Sequence, residues 1–327
     1  MGESNRRGTT ELRTTKAKRR SRLKWMIPLG VVLLAGLAVG VWYFGGLGTD
    51  KKEKAATEDH SKHDHGDSKK KDEVKKPEQP TIVKPYWRLT KSPPVTSEPV
   101  GLNFRFADHK TEEVITDYEL YHEKKMHTIV VSKDLRDFFH YHPEMAADGM
   151  FNVNMDLKRA TTYKIFVDAR SKSQGWINEY AEVIVREPEV VAKHKDPKTA
   201  PPAPPLDPPN LVVNDKETMT VEGKKISLSA TDLKVGKEAN LTFTFKDAAS
   251  GADVTDLQPY LGAVGHVILV SEDTSEYIHT HPIDDKQRGP KASFSAIFEK
   301  EGKYKLWGEF QHQGKRLVVP FVIDVKK

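Results

Sequence analysis

Two stretches of the chain alternate apolar and polar residues, LNFRF from Leu102 and LTFTF from Leu241, with the period of two that marks a half-buried strand. Two short β-branched runs follow, HTIVVS (His127 to Ser132) and HVILVS (His266 to Ser271), and after brief polar turns come FFHYH and YIHTH. KLWGEFQHQGKRLVVPFVIDV closes the chain and predicts a hairpin around Gln313 and Gly314. Turn signals at this density predict an all-β chain, with a sandwich of about seven strands in each of two segments. A sustained helical period occurs only in one N-terminal stretch.

That stretch, Trp25 to Phe44 (WMIPLGVVLLAGLAVGVWYF), has twenty residues and no charge. As a helix it is about 30 Å long, the thickness of a bilayer core. Nine Lys and Arg residues precede it against Glu3 and Glu11, so the N-terminus is expected inside and the remainder outside. The stretch ends in bulky VWYF, with no A-x-A-like cleavage site, and the chain has no cysteine to acylate. An uncleaved signal anchor is therefore expected, rather than a cleaved signal peptide or a lipoprotein. Downstream, apolar residues are too sparse to build a core until about residue 80, and a Pro-rich run, PKTAPPAPPLDPP, returns from Pro197. The expected order is a basic cytoplasmic tail (1–24), a transmembrane helix (25–44) and a disordered charged linker (45–80). A first sandwich (81–190), a Pro-rich linker (191–209) and a second sandwich (210–327) complete it.

The two sandwich segments are a repeat. At an offset of 139, Leu102 to Asp108 aligns with Leu241 to Asp247, and His127, His140, His142 and Pro143 align with His266, His279, His281 and Pro282. Tyr121, Val131, Ser132 and Asp134 keep the same register with Tyr260, Val270, Ser271 and Asp273. Farther on, FNVNMDLKRATTYKIFV resembles FSAIFEKEGKYKLWGEF with one deletion.

Charge changes the picture only by exclusion. The tail before Trp25 carries a net +7, so the rest of the chain carries −2 of the total +5; basicity here reports topology, and no nucleic-acid partner is implied. With no cysteine, disulfides, thiolate ligands, cysteine nucleophiles and iron–sulfur clusters are all excluded.

The candidate chemistry is H-x12-H-x-H-P, present twice. If residues 272–275 form a four-residue loop, Ser271 faces Glu276, and His266 lies opposite His281 with His279 on the same face. The same geometry holds for His127, His140 and His142; a loop of three or five residues would turn the first histidine away. H-x-H on one strand with a third histidine on its neighbour suits a three-histidine metal site, and imidazole suits zinc, copper and nickel. The competing reading gives the histidines a structural role, bonded to loop backbones. Met126 could add a thioether in the first copy only, since Gly265 stands in the second. His122 faces Leu261 in the alignment and so has no counterpart, and His312 reads as an exposed turn residue. His60, His63 and His65 read as part of a solvated spacer, with exchangeable metal capture as the lesser reading. One metal shared by both repeats is not expected unless the domains fold back, because the Pro-rich linker separates them.

GHVILVSEDTSEYIHTHP, with PYLGA before it and FQHQGK near the end, resembles exported bacterial β-sandwich proteins with a GH…D…HxHP signature, grouped with YtkA/FixH-like Ig-fold proteins. HEKKMHTIVVSKDLRDFFHYHPE resembles a sister form, although it lacks the LGA-x-G loop. The resemblance implies two tandem Ig-like β-sandwich domains, the handling of copper or another heavy metal, and His266, His279, His281 and their equivalents as the residues concerned.

The expected function is thus a membrane-anchored, extracytoplasmic binding protein for a transition metal ion, copper or zinc. Its ligands are His127, His140 and His142 in one repeat and His266, His279 and His281 in the other. Its expected partners are the lipid bilayer and a membrane or envelope protein. The alternative is a non-metal envelope structural or interaction protein. A zinc held by three histidines with an open position could activate water, a lesser enzymatic reading, but no general base, G-x-S-x-G, P-loop or dinucleotide fingerprint points to an enzyme.

Overall fold

The computed structural model describes the backbone of residues 12–13, and residues 82–194, 201, 203–280 and 282–327. The expected transmembrane helix, the charged linker with its three histidines, and most of the basic tail lie outside the described residues, as does His281. Among the described residues, no helix is long and apolar enough to cross a membrane.

The all-β expectation holds. After a two-residue strand β1 (Leu12–Arg13), the first repeat contains β2 (Val83–Leu89), β3 (Val100–Asp108), β4 (His127–Ser132), β5 (Phe138–Tyr141), β6 (Phe151–Met155), β7 (Thr162–Ser171) and β8 (Gly175–Ile184). A six-residue helix, α1 (Pro188–Lys193), follows it. The second repeat contains β9 (Thr218–Val221), β10 (Lys224–Thr231), β11 (Glu238–Asp247), β12 (Gly265–Ser271), β13 (Tyr277–Thr280), β14 (Lys291–Ile297), β15 (Gly302–His312) and β16 (Lys315–Val325).

Each repeat is a two-sheet antiparallel sandwich. In the first, β2-β3-β6 packs against β8-β7-β4-β5, with β1 at the free edge of β8; in the second, β9-β10-β11-β14 packs against β13-β12-β15-β16. Phe104, Phe106 and Phe151 fill the first core, and Phe243, Phe294 and Phe310 fill the second. The terminal hairpin turns at Gln313 and Gly314, both at positive φ, as a two-residue type I′ turn requires.

The hairpin register is the one that a four-residue loop dictates. Ile268 pairs with His279 and Val270 with Tyr277, while Ile129 pairs with His140 and Val131 with Phe138. The serine and aspartate shared by the repeats build these loops: Ser132 and Ser271 donate to Asp134 and Asp273. One alignment detail changes. Val153 pairs with Leu102 as Phe294 pairs with Leu241, so the offset is already 141 at β6 and β14, and Phe151 is not the equivalent of Phe294.

Strands β4 and β12 are buried at every position. An antiparallel strand with one solvated face alternates; one covered on both faces does not. Val130 points into the first core, whereas Ile129 and Val131 join Phe166, Ile268, Val270 and Trp307 in a third cluster, between the repeats. The sandwiches therefore dock through their β4 and β12 sheets, and the separation expected from the Pro-rich linker is not found: apolar faces left open by each repeat bury one another.

Candidate metal centre

The docking has an approximate twofold. Along β7, Lys164, Phe166 and Asp168 point in one direction and meet Thr274, Tyr277 and His279 of the other repeat. The Lys164 ammonium donates to the Thr274 carbonyl (2.5 Å), Phe166 stacks on Tyr277 (4.8 Å between centroids), and His279 Nδ1 lies 3.2 Å from Asp168 Oδ2. Along β15, Lys305, Trp307 and Glu309 repeat the pattern in the opposite sense. Lys305 donates to the Leu135 carbonyl (2.7 Å), Trp307 stacks on Phe138 (4.7 Å), and Glu309 Oε2 lies 2.5 Å from His140 Nδ1. Each repeat thus supplies a carboxylate to a histidine of the other.

Within each repeat the histidines form a short relay. His127 Nε2 donates to the Tyr121 carbonyl (2.9 Å), and its Nδ1 lies 3.2 Å from His140 Nε2. His266 Nε2 likewise donates to the Tyr260 carbonyl (3.1 Å), and its Nδ1 lies 3.2 Å from His279 Nε2. Those carbonyls come from matching tight turns, Tyr121 to Lys124 and Tyr260 to Ala263, each closed by a two-residue bridge. The missing LGA loop of the first repeat is therefore a matter of sequence only: His122 and Glu123 adopt the positive φ that Leu261 and Gly262 adopt.

Protons in the relay can be counted. The carbonyl and the carboxylate at its ends both accept, so three hydrogen bonds in line require three protons, and two neutral imidazoles carry two. Two neutral imidazoles therefore leave the gap between His127 Nδ1 and His140 Nε2, and that between His266 Nδ1 and His279 Nε2, without a proton. Burial pushes the Glu309 carboxyl upward, but His140 and Arg316 outweigh it and hold it low. Burial likewise opposes ionisation of Asp168, and His279 overcomes it. Arg316 also pairs with Glu309, and the Tyr277 hydroxyl donates to Asp168 (2.5 Å).

His127, His140 and His142 offer three ring nitrogens lying within 4.8 Å of one another, a group able to hold a metal ion. The donor chemistry fits. Two nitrogens about 2.0–2.1 Å from one tetrahedral zinc stand about 3.3 Å apart, close to the 3.2 Å between His127 and His140. Metal-bound imidazoles donate their other N–H to a carbonyl or carboxylate, as His127 and His140 do here. His142 Nε2 is buried with no hydrogen-bond partner, the condition of a ligand atom awaiting its ion. Desolvation lowers the pKa of His127 to about 3 and that of His142 also, keeping both rings neutral.

The structure corrects several sequence readings. His122 lies in the cluster, its ring 4.8 Å from that of His266 in the other repeat. Met126 faces away from the histidines into the first core and offers them no thioether. His312 is buried and 3.0 Å from Asp256, instead of exposed in a turn. Asp168 and Glu309 were missed by sequence reasoning, although at the offset of 141 they occupy one position: Asp168 pairs with His127 as Glu309 pairs with His266.

The family described as a domain of unknown function, DUF8832, matches residues 83–184 and 219–327, one stretch in each sandwich. The chain belongs to the DUF8832 family. Both DUF8832 stretches contain the histidines and the acidic residue of their repeat, so the crossed relay lies wholly inside the matched sequence. No curated protein matches the chain in sequence. Among solved structures it is similar to a bacterial ice-binding adhesin described for host cell surface retention (8% identity, 76% of this chain and 65% of that one, TM-score 0.24). It is also similar to domains 4 and 5 of the S-layer protein SbsC (12%, 75% and 99%, TM-score 0.21), and to invasin, a bacterial integrin-binding protein (10%, 73% and 39%, TM-score 0.22). The chain spans less than two thirds of the adhesin and invasin chains, and at these scores the likenesses carry no argument about its function.

Proposed function

We propose that this protein binds a transition metal ion, zinc or copper(II), through His127, His140 and His142, with His266, His279 and His281 as the equivalent set. The observation that carries the reading is the 3.2 Å gap between His127 Nδ1 and His140 Nε2, whose outer nitrogens are already committed to a carbonyl and a carboxylate. That gap takes one proton or one metal ion. An all-nitrogen donor set suits zinc and copper(II).

A second reading is favoured by the same crossed bonds: His140 to Glu309 and His279 to Asp168 tie the two repeats together and could serve the fold alone. Calorimetric titration of zinc and copper(II) separates the two. The protein would carry His60→Ala, His63→Ala and His65→Ala, so that the spacer contributes nothing, and would be compared with the same protein bearing His142→Ala. His142 Nε2 has no hydrogen bond to lose, so this variant keeps the fold and removes a ligand. Weaker binding in the variant supports the metal site; equal binding, or none in either protein, leaves the structural reading.

The proposed setting is extracytoplasmic, tethered by Trp25 to Phe44 and close to an envelope or membrane partner. The charge asymmetry around that stretch supports it. The pairing of Leu12 and Arg13 with Val183 and Glu182 stands against it, because a spanning helix between them would put the two strands on opposite sides.

A further inference from the structure

Seen across the repeat interface, the two histidine pairs are neighbours in one cluster of rings. The ring of His127 lies 5.0 Å from that of His279 and 6.3 Å from that of His266, and His140 lies 5.7 Å from His279. These separations match those inside a single repeat, 5.4 Å for His127 and His140 and for His266 and His279. The pair in the second repeat has the same 3.2 Å gap and the same outward commitments, to the Tyr260 carbonyl and to Asp168. What makes one gap a metal position makes the other one too.

Resting on the metal reading above, we propose that the centre is binuclear, holding two ions in adjacent halves that are close enough to interact. Charge supports two occupants. Two buried carboxylates serve the cluster, and each is assigned to the opposite half: Glu309 of the second repeat orients His140, and Asp168 of the first orients His279. The exchange also means that each ion is positioned by both sandwiches, so neither half of the centre is complete within one repeat. Glu309 and Asp168 act here as positioning residues. His122, supplied by the first repeat, stands beside the second half, 4.8 Å from His266 and 6.2 Å from His279. Two divalent ions in so small a space repel, so the second binds more weakly than the first.

Copper(II) titration of the full chain lacking the three spacer histidines, followed by electron paramagnetic resonance, tests this. The expected result is two equivalents bound in unequal steps. The first gives an ordinary isolated copper signal with nitrogen hyperfine structure, and the second brings dipolar broadening and a half-field transition. Saturation at one equivalent, or a second equivalent that adds only another isolated signal, overturns the binuclear proposal while leaving single-site binding intact. No uptake at all removes the metal reading and this proposal together. Two variants sharpen the result. His142→Ala should reduce the stoichiometry to one and abolish the broadening; two coupled ions in that variant would count against the assignment of the halves. Glu309→Gln, nearly isosteric, should change the hyperfine pattern of an ion held by first-repeat histidines; an unchanged pattern denies Glu309 its positioning role.

Discussion

A histidine ring as completely buried as His127 must place two nitrogens, and it places one on a backbone carbonyl and the other on a second histidine. Burial keeps such rings neutral: desolvation lowers the pKa of His127 to about 3 and of His122 to about 4, and lowers that of His266 as well. In the unfolded chain the same residues titrate near 6.5. Between these values the unfolded state binds more protons, so this contribution to stability is complete above about pH 6.5 and is lost as pH falls toward 4 and below. Well below 6.5, His127 alone should cost about 1.4 kcal/mol per pH unit. Urea unfolding between pH 7.5 and 5 should therefore show stability falling with acidity. A flat profile would mean that the rings are not held neutral in the folded protein. The triplet His127, His140 and His142 was legible because strand parity and a four-residue loop set it. His122 was not: its lack of a counterpart argued against it, and only its neighbour in the other repeat gives it a place.

At the scale of elements, HTIVVS and HVILVS carried a signal that local pattern reading left unused. Continuous apolar runs of this length mark strands covered on both faces, whereas LNFRF and LTFTF alternate. The second cover is the other repeat, and Ile268 sits at its centre, fully buried and outside the core of its own sandwich. Ile268→Asp would place an unpaired charge in the buried apolar interface, at a penalty of several kcal/mol that opening the interface relieves. The expected outcome is a chain that keeps its far-ultraviolet β signature but has a larger radius of gyration by small-angle X-ray scattering, with metal uptake weakened. An unchanged radius would show that the docking does not depend on this cluster. The loops were legible in part: Ser132, Asp134 and their equivalents stood out as matches, and the structure gives the reason, since their side chains close the hairpins that carry the histidines.

The whole molecule combines this docked pair with an N-terminal quarter whose meaning comes from charge and hydropathy. The chain has no cysteine, so single cysteines report cleanly on topology. Ser61→Cys in the spacer should react with a membrane-impermeant maleimide on intact cells, and Ser4→Cys in the tail should not. Labelling of both, or of Ser4→Cys alone, would overturn the proposed orientation and agree with the pairing of Leu12 and Arg13 to the first sandwich. What the sequence determined by itself was short in range: strand periods, the repeat, the hairpin register, and hence His127, His140 and His142 on one face of the first copy and His266 and His279 on one face of the second. Backbone geometry fixes these within a few residues. The tertiary structure alone decided which carboxylates meet those histidines, since His140 and Glu309 are 169 positions apart and His279 and Asp168 are 111 apart. No periodicity spans such distances; they close because two apolar faces exclude water together, and with them two separate histidine sets become one centre.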